Sequence, residues 1–185
     1  MQEESNPIKD HLFEYIEKST TIPDFIKHKR FDKIIEEITL NCYDKVITMA
    51  QKDEAVGILA TGLLHYLLTN SLINSQRKIQ YNETEIDIVI PDIKTLEKDA
   101  KKTLIICIPK SSEKKIIEEK ILQLEKFQPH KENIWTVLSQ DVSLDTKSFT
   151  LSKENNSFSK IIFDIAQFSN VNGGDSANKF KILRV

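Results

Sequence analysis

The chain has 185 residues, of which 39% are apolar and 29% charged, and its 28 acidic and 26 basic side chains leave a formal charge of −2. That length suits a single domain, 1–185, with a real core. The near-cancelling charge excludes disorder by charge excess, and with it any global pull toward nucleic acid or anionic lipid.

The opening MQEESNPIKD has no basic stretch followed by an apolar run, so no secretory signal is expected and the cytoplasm is the expected compartment. Ser5 and Asn6 are candidate caps, Pro7 suits a first helical position, and Ile8, Leu12, Tyr15 and Ile16 recur at helical spacing; together they predict a first helix. A second is predicted from near Pro23 and Asp24, with Phe31, Ile34, Ile35, Ile38, Cys42, Val46 and Met49 along its inner face. A break at Gln51 to Asp53 precedes a third, from Glu54 to about Leu72. Residues 55–73 carry no Asp, Glu, Lys or Arg. Thr61, His65, Thr69, Asn70 and Ser71, with Gly57 and Gly62, nevertheless point to a closely packed core helix and not a membrane span.

Past Asn74 the apolar period changes from 3.6 to 2. Residues 78–81, an Asn82-Glu83 turn and residues 85–90 predict a β-hairpin, which Pro91 ends. A lysine-rich connector leads to Thr103–Ile108, a continuous apolar run suited to a central strand and stopped by Pro109. Ser111 or Ser112 is the expected cap of a helix reaching Phe127, with Ile117, Ile121 and Leu124 inward. Residues 133–138 predict a further buried strand, so strand, helix and strand form a crossover unit. Beyond Gln140 the pattern weakens to a polar stretch, an apolar segment 161–168, a loop at 172–175 and a strand-like 180–185.

The expected fold is therefore α/β, an αβββαβ core over 51–140 with a mixed central sheet, two N-terminal helices within 1–50, and an extension over 141–185. That order resembles the core of the restriction-endonuclease-like (PD-(D/E)xK) superfamily, in its Holliday-junction-resolvase and RecB-like branch. The resemblance implies a site in which an acidic residue on the first core helix, an aspartate in the second strand and an acidic-x-Lys at the end of the third collect divalent cations and activate water. Glu54 corresponds to the first, Asp87 to the second and Lys110 to the lysine. Ile108 stands where the family has Glu or Asp, and an isoleucine cannot ligate a metal. Glu85, two residues before Asp87, is the compensating carboxylate.

The densest basic cluster is Lys27, His28, Lys29 and Arg30 with Lys33, a candidate contact for nucleic-acid phosphates or else a solvated helix face. Lys179, Lys181 and Arg184 form a smaller one. His11, His28, His65 and His130 lack metal-ligand spacing, so no zinc site is expected, and His65 is expected as a hydrogen-bonded core imidazole. Cys42 and Cys107, far apart in apolar segments, suit buried free thiols rather than a disulfide. No Gly-x-Ser-x-Gly is present, so nucleophilic catalysis has no candidate. Trp135 is expected in the core.

Two functions follow from the resemblance. In the first, a degenerate nuclease fold without a cofactor binds DNA, a protein partner or a second copy of itself. In the second, an active Mg²⁺-dependent DNA endonuclease uses Asp87, Lys110, Glu54 and Glu85, with Asp87 as metal ligand. An unrelated α/β interaction domain is the third possibility.

Overall fold

The computed structural model describes residues 6–172. Ser5, the cluster at Lys179 to Arg184 and the segment 180–185 lie outside the described residues. Helix α1 (Pro7–Lys18) opens with Asn6, whose side chain accepts from the Ile8 and Lys9 amides. Where one long second helix is expected there are two, α2 (Ile22–Lys27) and α3 (Phe31–Val46). The apolar rhythm does not register the break, because it lies at Lys29, which takes a left-handed φ of 55°. Three helices, not two, thus precede the core helix α4 (Lys52–Asn70), which Gln51 caps.

Strands β1 (Gln76–Tyr81) and β2 (Thr84–Ile90) form the expected hairpin. Its turn residues Asn82 and Glu83 both have positive φ, 46° and 63°, as a two-residue turn matched to strand twist requires. The lysine-rich connector contains a short helix, α5 (Ile93–Lys98), before β3 (Leu104–Cys107). Helix α6 (Lys114–Glu125) leads to β4 (Ile134–Leu138). The cap of α6 is Glu113 rather than Ser111 or Ser112, and no side chain caps it. The weakly patterned extension supplies β5 (Lys147–Thr150) and α7 (Ile161–Asn172).

Among the described residues five strands form one mixed sheet in the order β1-β2-β3-β4-β5. β1, β2 and β3 pair antiparallel, whereas β3, β4 and β5 pair parallel. The order α-β-β-β-α-β is present as expected, carried by α4, β1, β2, β3, α6 and β4.

Alternation along β3 separates two cores. Leu104, Ile106 and Ile108 join α1, α3, α4 and α7 on one face of the sheet, while Ile105 and Cys107 join Leu124 of α6 on the other. Helix α4 is apolar almost all round because partners enclose it: nine of its residues, from Ala55 to Leu68, are buried. A Cβ on Gly62 would come to 3.0 Å from Leu12 Cδ2, a tight contact that marks the close approach of α1 to α4 here. His65 is half-buried rather than fully in the core. Trp135 is 5% exposed and donates its indole N–H to the Glu132 carbonyl. Both cysteines are free and buried.

Candidate functional site

The loop from Ile108 to Glu113 leaves the C-terminal end of β3 and is held at both ends by carboxylates. At its start, the Ile108 amide donates to Asp87 Oδ2 at 2.8 Å. Further on, the Ser112 amide donates to Asp53 Oδ2 at 2.8 Å and the Ser112 hydroxyl to Asp53 Oδ1 at 2.7 Å. The Ser139 hydroxyl, just past β4, also donates to Asp53 Oδ1. Asp53 thereby ties the first turn of α4 to the ends of two parallel strands.

Asp87 sits on the α6 face of β2. Lys120 of α6 brings its Nζ to 2.8 Å from Asp87 Oδ2, and the two side chains are only 26% and 14% exposed. Burial lowers the Lys120 pKa, but the charge of Cys107, present only where that thiol ionises, and the Asp87 carboxylate outweigh it and hold the ammonium above the ordinary lysine value. Burial also pushes the Cys107 thiol up to about 12, so it remains protonated near neutrality. Glu85 is exposed, meets Gln80 at 3.5 Å across the hairpin, and adds its charge to the field at Lys120.

Of the residues expected to form the site, Asp87 therefore meets an amine, but that of Lys120, and Glu85 acts on the pair only through its charge. Lys110 is exposed and makes no ion pair among the described residues. Glu54 is exposed in the first turn of α4, beside Asp53, where its amide is capped by Gln51. Ile108 is 5% exposed and lies against Gly57 of α4, in the core on the other side of the sheet from Asp87.

This donor set does not fit a divalent cation. Hard cations take several oxygen ligands, whereas Asp87 Oδ2 is already taken by an ammonium and an amide, and the side chain at 108 points into the opposite core. Among the described residues no three His, Cys, Asp or Glu side chains gather as a ligand set.

Two participants are absent from the set that the sequence pattern singles out. Lys120 lies three residues after Ile117 and four before Leu124, so helical spacing puts it on the inward face, and a lysine there is the signal. Asp53 has no comparable mark. It meets Ser112 and Ser139 across 59 and 86 residues of chain.

The basic cluster is on the surface and largely matched. Arg30 makes two contacts of 3.1 Å with Asp32, Lys33 meets Glu36 at 2.6 Å, and His28 meets Asp24 at 3.3 Å. Lys27 and Lys29 alone in it have no carboxylate partner among the described residues. Among those residues no helix is long and apolar enough to cross a membrane.

No family model matches the chain, and no curated protein matches it. Among solved structures it is similar to metal-depleted Ecl18kI in complex with uncleaved, modified DNA, with 13% identity over 94% of this chain and 75% of that one. The TM-score of 0.49 marks a loose likeness, and neither a residue role nor an activity is carried over from it.

Proposed function

We propose that this chain is a binding module on a nuclease-type α/β core, with Lys120 filling the space at Asp87 that a divalent cation would need. The observation that carries this reading is the shared use of Asp87 Oδ2 by Lys120 Nζ and the Ile108 amide, each at 2.8 Å. An ammonium there compensates the buried carboxylate, and no ligand set to position a hydrolytic water remains among the described residues.

The partner we propose is nucleic acid, contacted through phosphates at Lys27, Lys29, Arg30 and Lys33. Since Asp32 and Glu36 already neutralise two of these four, binding is weak and involves about two unmatched charges, with log K falling against log salt at a slope of roughly −2. Polarisation titrations of labelled duplex, junction, flap and single-stranded DNA at several salt concentrations test this. Binding lost in Lys27→Gln/Lys29→Gln supports it. No binding to any of them removes nucleic acid and leaves a protein partner or a second copy of the chain.

The endonuclease reading is tested with the same substrates in Mg²⁺ or Mn²⁺. Cleavage that disappears in Asp87→Ala would replace the binding-module reading with an enzymatic one.

A further inference from the structure

Away from the sheet ends, α1, the link to α2 and α3 border an open surface groove of about 460 Å³ lined by His11, Glu14, Tyr15, Lys18, Glu37 and Lys45 together with Ser19, Thr20 and Thr21. Its carboxylates are engaged. Glu37 accepts from Tyr15 at 3.1 Å, from Ser19 at 2.8 Å and from Thr21. Glu14 is paired with Lys18. Two groups are left over: His11 Nε2, which is buried without a hydrogen-bond partner, and Lys45, which has no ion-pair partner among the described residues. A buried polar atom without a partner costs stability unless something occupies the space beside it.

We infer that this groove is an oxyanion site of the phosphate class, in which Lys45 supplies the charge and His11 Nε2 a hydrogen bond. His11 feels the Lys45 ammonium: burial first, then the Lys45 charge, lowers the His11 pKa, against a smaller opposing effect of Glu14. An anion between them screens that repulsion and favours the imidazolium, which then donates through Nε2. Binding therefore tightens as pH falls through the His11 titration. The groups facing His11 are Glu14 and Lys18 on its own helix and Glu37 and Lys45 on α3. Tyr15 also faces it, with its hydroxyl pushed up to about 12 by burial and by Glu37.

The groove is separate from the proposed nucleic-acid contact, because none of its residues belongs to the Lys27 to Lys33 cluster. It is tested by following the His11 ring resonances of the full chain against pH, with and without inorganic phosphate, and then with a short single-stranded oligonucleotide lacking terminal phosphates. A His11 pKa raised by phosphate, with affinity about tenfold lower in Lys45→Ala, the scale of one lost charge-assisted contact, is the expected result. A response to phosphate alone identifies a small-molecule source, and a stronger response to the oligonucleotide identifies a backbone phosphate. A His11 titration unmoved by either probe, or moved equally in Lys45→Ala, overturns the site. Lys45 is exposed, so its replacement does not threaten folding.

Discussion

Lys120 Nζ lies 2.8 Å from Asp87 Oδ2 across 33 residues of chain, in a hollow where both side chains are mostly covered. The contact joins α6 to β2 and gives the Asp87 position a cation of the protein's own. A buried pair is worth little against an apolar replacement, yet breaking one partner away is costly because the other charge stays behind.

Lys120→Ala is accordingly expected to lower stability by roughly 2 to 4 kcal/mol, toward the lower side of a fully buried pair because the site is partly open. The double variant Lys120→Met/Asp87→Asn, which keeps an acceptor for the Ile108 amide, should recover much of that loss. Urea denaturation of the three proteins decides it, and a Lys120→Ala midpoint equal to wild type would remove the pair from any structural role.

The same pair sets a limit at high pH. Lys120 is held above the ordinary lysine value, so its stabilising contribution is complete below about pH 10.4, the ordinary lysine pKa, and is lost as pH rises through the folded value. Stability measured from pH 9 to 12 should fall more steeply in wild type than in Lys120→Met.

Asp53 gives the opposite dependence. Burial raises its pKa, but the Ser139 and Ser112 hydroxyls and the Ser112 amide outweigh this and keep the carboxyl below its usual range. Its contribution is present above about pH 3.9 and disappears as pH falls through the folded value. Asp53→Asn should cost about 1 to 3 kcal/mol at neutral pH, as expected for losing hydrogen bonds to a charged acceptor. The difference from wild type should shrink in acid, and an undiminished difference there would count against the ionised carboxylate as its cause.

Ile108→Glu tests the resemblance directly. If position 108 were a vacated ligand position, a carboxylate there would create Mn²⁺ binding. The structure points this side chain at Gly57 in the α4 core, so the expected result is no gain of metal affinity and a stability loss of several kcal/mol for a buried, unpaired charge. Calorimetric titration with Mn²⁺ and thermal denaturation report the two halves separately.

The two helix glycines should behave differently. A Cβ at Gly57 meets Ile108 Cγ2 at an ordinary 3.5 Å, so Gly57→Ala is expected to stabilise by about 0.5 to 1 kcal/mol through helix propensity. At Gly62 the same change meets Leu12 at 3.0 Å, and the gain should be smaller or reversed. Equal melting temperatures for the two variants would contradict this.

Much of the architecture was legible from pattern. The hairpin at Asn82-Glu83, the apolar run of β3, the crossover through α6 and the core helix α4 each carry a local signature of period, turn chemistry or length. Three elements carried less. The split of α2 from α3 turns on one left-handed residue, Lys29, inside an unbroken apolar rhythm. The short strand β5, Lys-Ser-Phe-Thr, is defined by pairing with β4 rather than by its own composition. Helix α5 is a six-residue turn within a lysine-rich connector.

By itself the sequence determined which stretches bury apolar faces and in what order, because side-chain period and turn residues act over a few neighbours. Which charged atoms meet was decided only by the tertiary structure. Asp87 finds Lys120 rather than Lys110, and Asp53 rather than Glu54 grips the β3 to α6 loop, since those choices depend on which face of a strand or helix turn each side chain leaves from. A one-residue step along β3 carries a side chain from one core to the other. That geometry turns the Ile108 side chain into the core opposite Asp87, although its amide donates to that carboxylate.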